Sequence, residues 1–142
     1  MIRLYSKGCE NALKVFSRLT LSTRSFSIKK VCKENGLPEW STRKTFQILV
    51  RKGLLNATSG PRGGYEFRIP PHKISLLALI IAIDGENVFN RCAIGVKRCR
   101  NSNPCPLHSI VQIVRGDFLN TLKRVSLLNL LQNFQDKKEK QK

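Results

Sequence analysis

Three cysteines and a histidine fall close together late in the chain. Cys92, Cys99 and Cys105 are separated by six and five residues, and His108 follows three positions after the last, so four soft or borderline ligands occupy 17 positions. Gly95, Asn101, Asn103 and Pro104 between them favour turns, which lets such a loop fold inward with its sulfurs converging. The chemistry implied is metal or cluster ligation. Structural zinc sites usually carry close C-x2-4-C pairs, which this loop lacks, whereas iron-sulfur clusters accept looser spacings and a fourth ligand from elsewhere. Arg91, Lys97, Arg98 and Arg100 surround the thiols, an environment that favours thiolate and offsets the charge of a thiolate-ligated cluster. Zinc binding, or an oxidisable set of surface thiols without metal, are the alternatives.

The elements that must position this loop belong to a strongly basic chain. Over 142 residues, 26 Lys and Arg face 9 Asp and Glu, a formal charge of +17 that implies a polyanionic partner. Residues 1–73 hold 15 basic and 4 acidic side chains, net +11, and the remainder is net +6. The anion-binding surface is therefore expected mainly in the first half. No apolar run resembles a signal peptide or spans a bilayer, and five cysteines without one indicate a cytoplasmic protein in a reducing compartment.

Residues 5–20 read as an amphipathic helix with Ala12, Val15, Phe16 and Leu19 on its apolar stripe and Cys9 at the stripe's edge. Thr20 to Ser25 reads as a loop. Ser27 is placed to cap a second helix, in which Cys32 joins Ile28 on the core face, and Asn35-Gly36 stops it. A third helix runs from about Glu39 to Lys52 with Phe46, Leu49 and Val50 inward. Its opposite face aligns Trp40, Arg43, Lys44, Gln47 and Arg51, and Ser41 and Thr42 join them as candidate DNA contacts. Two short strands follow, Leu54 to Thr58 and Tyr65 to Ile69, around a basic tip in which Gly60, Gly63 and Gly64 admit close backbone approach and Arg62 is placed to grip DNA. A helix-turn-helix followed by such a hairpin is a winged helix.

Ser75 caps an apolar helix, Leu76 to Ile83, ended by Asp84-Gly85. Beyond the cysteines, Pro106 suits the first turn of a long helix whose Leu107, Val111, Val114, Phe118, Leu122 and Val125 keep the spacing of a helix-helix seam. At 1.5 Å per residue it forms a rod of roughly 28 Å, read as a dimerisation helix. Ser126 caps a last short helix, Leu127 to Phe134. The expected fold is mainly α with a small β-hairpin wing: a winged helix-turn-helix domain over 1–73, a cluster-binding loop and dimerisation helices over 74–134, and a disordered polar tail over 135–142.

Several stretches together resemble the bacterial winged-helix regulators represented by IscR, NsrR and RirA. They are Arg3-Leu4-Tyr5-Ser6-Lys7-Gly8, Lys52-Gly53-Leu54, Gly60-Pro61-Arg62-Gly63-Gly64-Tyr65, Ile74-Ser75-Leu76 with Asp84-Gly85, and Cys105-Pro106-Leu107-His108. The resemblance covers about residues 2–131. It implies a homodimer on a palindromic double-stranded DNA operator, with a [2Fe-2S] or [4Fe-4S] cluster on Cys92, Cys99 and Cys105 that senses iron, redox state or nitric oxide. It also implies that the fourth ligand is either His108 or Cys9, which aligns with a carboxylate supplied by the partner's first helix in some members. The chain departs from the family in its six-residue first cysteine gap and in its recognition helix, Pro38-Glu39-Trp40-Ser41-Thr42-Arg43-Lys44. A winged-helix module that contacts protein or RNA is a further alternative. No motif for nucleophilic catalysis is present, so no enzyme is expected.

Overall fold

The structure is a computed structural model and describes residues 5–20, 23–60, 63–87 and 105–131. Arg62, Cys92, Cys99 and the polar tail lie outside the described residues, as do residues 132–134 of the last expected helix.

Helix α1, Lys7–Ser17, is shorter than the apolar spacing predicts because Ser6 caps it, its Oγ accepting from the Cys9 N–H at 3.1 Å. Cys9 is not at an edge; it is fully buried, along with Ala12, Val15 and Phe16. Ser25, the last residue of the expected loop, joins Phe26 in strand β1, Ser25–Phe26. Helix α2, Ile28–Asn35, starts at Ser27 and stops at Gly36, whose φ of 65° is the left-handed conformation glycine adopts without strain. Helix α3, Glu39–Arg51, enters from Pro38 and ends before Gly53.

Strands β2, Leu55–Thr58, and β3, Gly64–Phe67, form the wing. The sheet has three antiparallel strands in the order β1-β3-β2, with Phe26 opposite Tyr65 and Ala57 opposite Tyr65 on the other side. Gly64 makes the first pairing possible, because a Cβ there would collide with the Phe26 carbonyl. The two residues of β1 are too few to show any alternation, which is why only pairing reveals them.

Helix α4, Leu76–Asp84, is capped by Ser75, and α5 runs from His108 to Arg124. Pro106 and Leu107 form the turn before α5, and its first residue donates from the His108 backbone N–H to the Cys105 carbonyl at 3.0 Å. After Val125 the chain returns to α4: Leu76 N–H donates to Val125 O at 2.9 Å and Leu127 N–H to Ile74 O at 2.8 Å. Ser126 caps the helical residues 127–131, accepting from the Asn129 N–H at 3.3 Å.

The main core joins Phe16, Phe26, Phe46, Leu49 and Leu55 with Ile74, Leu79, Leu127 and Leu131, so it takes side chains from both sides of residue 73. Its centre is aromatic, with Phe16 and Phe46 centroids 5.2 Å apart and Phe46 and Tyr65 5.6 Å apart. A second, smaller cluster holds Cys9, Ile80 and Leu122. The helices are therefore fixed on one side by buried rings and aliphatic chains, and α3 keeps its other side clear.

Candidate nucleic-acid interface and cysteine site

The inner side of α3 is set by Thr42, Thr45, Phe46 and Leu49, all buried. Trp40, Ser41, Arg43, Lys44, Gln47 and Arg51 are exposed. Thr42 is therefore corrected: it does not join the outward set, being one turn before Phe46 and wholly inside. Threonine satisfies either side of an amphipathic helix, so its type did not reveal this. Among the described residues its Oγ1 has no hydrogen-bond partner. Cys32 is buried as well, and burial raises its thiol pKa.

Two contacts organise the outward side. Arg43 Nη2 is 2.8 Å from Glu39 Oε1, an exposed i,i+4 pair. Lys44 Nζ stands 3.7 Å above the centre of the Trp40 ring. Trp40, Lys44, Gln47 and Arg51 share one line at i, i+4, i+7 and i+11, a strip of long side chains dimensioned for a major groove.

Beside this strip the wing tip closes on itself. Thr58 Oγ1 accepts from the Gly64 N–H at 2.9 Å, and the Gly63 N–H donates to Gly60 O at 2.9 Å. Between α2 and the Gly63-Gly64 end of the wing lies a cleft of about 620 Å³ lined by Arg18, Ser27, Lys30, Glu34, Gly63 and Gly64. Sequence reasoning passed over Arg18 and Lys30. The available signal was Ser27 followed by Lys29-Lys30 at a helix start, where free N–H groups and cations favour a phosphate.

The cysteine site is divided. Cys105 and His108 are both half-buried at the start of α5, with Cys92 and Cys99 outside the described residues. Among the described residues no group of three or more His, Cys, Asp or Glu is placed to hold a metal ion. Cys9 sits in the first turn of α1 in the apolar cluster with Ile80 and Leu122. Burial pushes its thiol up to about 12, and the Asp84 carboxylate adds to the rise. Asp84 also ties α1 to α4: it accepts from the Ser6 N–H at 2.8 Å and from the Ser6 hydroxyl. The residue that begins the path into the cysteine loop is thus bonded to the cap of the helix that carries Cys9.

A helix-turn-helix with a basic outward helix and a hairpin wing in a three-stranded sheet defines a winged-helix DNA-binding protein. The family model described as Rrf2, iron-dependent transcriptional regulator, matches residues 5–133, and the chain belongs to that family, which includes regulators of the IscR, NsrR and RirA type. An HTH-type transcriptional regulator of Haemophilus influenzae is 31% identical over 87 residues, covering 59% of this chain and 57% of that protein. The solved structure of CymR, the global cysteine regulator of B. subtilis, superposes with a TM-score of 0.69 at 20% identity, over 94% of this chain and 98% of that one. T. potens IscR gives 0.67 at 18% identity, over 90% and 85%. The two structural likenesses establish the winged-helix fold. The chain is a transcriptional regulator and not an enzyme, and among the described residues no helix is long and apolar enough to cross a membrane.

Proposed function

We propose that this regulator binds a palindromic operator as a homodimer and tunes that binding through an iron-sulfur cluster on Cys92, Cys99 and Cys105, with His108 or Cys9 as fourth ligand. The observation that carries the DNA reading is the exposed strip Trp40, Lys44, Gln47 and Arg51, on a helix whose opposite side is buried. Residues 1–73 read DNA in this scheme, and residues 74–134 supply the loop and the dimer contact. Arg18 and Lys30, in the cleft beside Gly63 and Gly64, and Arg62 at the wing tip hold backbone phosphates.

The dimer is supported by α5. Leu107, Ile110, Ile113 and Val114 are 43%, 64%, 68% and 59% exposed, an apolar stripe suited to the same stripe on a second copy about a two-fold axis. That pairing sets two α3 helices about 34 Å apart, one DNA turn.

The donor set fits a cluster: three thiols within one short basic loop and an imidazole at a helix start. When bound, such a centre supplies one-electron redox chemistry and a covalent staple that damage removes. The chain's own residues transmit the difference. Cys105 and His108 fix where α5 begins, and Asp84 fixes the other end of the loop to Ser6. A change in the loop therefore reaches both the dimer helix and α1. Such coupling is typically about 1–3 kcal/mol.

Protein purified without air is expected to be coloured, with stoichiometric iron and sulfide, and to bind operator with different affinity before and after cluster removal at fixed salt. Equal affinities reject the sensor. Colourless protein after reconstitution rejects the cluster and leaves regulation by thiol oxidation or zinc. Cys9→Ser and His108→Ala decide the fourth ligand: the true ligand is the one whose loss changes the cluster spectrum.

A further inference from the structure

One side chain on the outer strip of α3 differs in kind from its neighbours. Lys44, Gln47 and Arg51 end in hydrogen-bonding groups. Trp40, the single tryptophan of the chain, presents a flat apolar ring that is 71% exposed. A ring of that area left in water contributes little to the fold. It stands in the first turn of α3, and in a helix-turn-helix the N-terminal residues of the recognition helix lie nearest the base edges. Lys44 occupies one face of the ring and holds it along the helix, leaving the rest open to solvent. Arg43 is paired with Glu39.

The major groove offers one apolar group, the C5-methyl of thymine, beside a pattern of donors and acceptors. The acceptors best suited to an ammonium are guanine O6 and N7. Successive base pairs are about 3.4 Å apart along the duplex. The ammonium and the ring centre are 3.7 Å apart, a separation close to that rise. We propose that Trp40 and Lys44 act as one reading unit that selects a thymine next to a guanine in each operator half-site, the indole covering the methyl and the ammonium meeting O6 and N7. This rests on α3 being the recognition helix and adds the base identity it reads.

The test starts from an operator selected by the full-length protein from random duplexes. Each thymine is then replaced by uracil, which removes only the methyl. Uracil at one thymine of a half-site is expected to weaken binding about fourfold, and at both half-sites about fifteenfold, as for loss of a methyl-sized apolar contact. Trp40→Ala, with an unchanged melting curve, is expected to bind the thymine and uracil operators equally. Because no other tryptophan is present, emission from Trp40 is expected to change when operator is added. Indifference of the wild type to every uracil, sensitivity that persists in Trp40→Ala, or unchanged emission each overturns the pair. Gln47→Ala and Arg51→Ala separate this failure from a larger one: if both bind operator as the wild type does, α3 is not the reader.

Discussion

The two halves of α5 carry apolar side chains at similar spacing and dispose of them in opposite ways. In the first half Ile110, Ile113 and Val114 are largely in water; in the second Leu122 is buried against Cys9 and Ile80. The chain then turns at Val125 and Ser126 and places Leu127 and Leu131 in the main core. What differs is the body opposite. At 17 residues α5 spans roughly 26 Å, and α4 packs on its distal part through the small cluster with Ile80. An apolar spacing thus specifies a stripe, while the rest of the chain decides whether the stripe stabilises the fold or an assembly.

The largest effect expected from this contrast is at Leu127. Leu127→Ala leaves a cavity in the main core and is expected to lower unfolding stability by about 3 kcal/mol, read from the urea midpoint. Ile113→Glu is the counterpart on the exposed half. It is expected to leave monomer stability within about 0.5 kcal/mol, while sedimentation shifts from dimer to monomer and operator affinity falls. If Ile113→Glu cost as much stability as Leu127→Ala with no change in mass, the two halves would not differ as described.

Ser6 gives a smaller effect and sharpens the picture of the buried half. Its side chain caps α1 and meets Asp84, so Ser6→Ala removes the cap and one tie to α4 together. The expected loss is about 1–2 kcal/mol, measured by thermal or urea unfolding. Ser27→Ala, whose cap bond is 3.4 Å long, should lose less. Equal losses would mean that the Asp84 contact adds nothing.

Where the chemistry was local, the residues announced their roles. Ser27, Ser75 and Ser126 cap helices, Gly36 ends one, and the glycine-rich turn joins two strands, because each depends on neighbours within a few positions. The outward side of α3 was legible for the same reason, except at Thr42, whose methyl and hydroxyl suit either environment. Strand β1, the depth of Cys9 and the split of α5 depend on segments far away in the chain. No periodicity within them carries that information. The tie from Ser6 to Asp84 joins residues 78 positions apart and left no local trace.

A small effect on folding, and one of opposite sign for binding, is expected at Glu39. Its carboxylate pairs with Arg43 on an exposed surface and sits in the first turn of α3, where the helix dipole favours negative charge. Both contributions are modest in water, so Glu39→Gln should lower stability by only about 0.5–1 kcal/mol. The same change removes a negative charge from the strip proposed to face DNA and releases Arg43 to reach phosphate. Operator affinity should therefore rise, with a steeper dependence on salt, because one more cation displaces counterions from the duplex. The outer sides of α3 and α5 obey one rule: a side chain left in water costs the fold little when changed and costs or helps the partner more. A fall in both stability and affinity in Glu39→Gln would place the Glu39 and Arg43 pair within the scaffold and return the outer side of α3 to ordinary solvated surface.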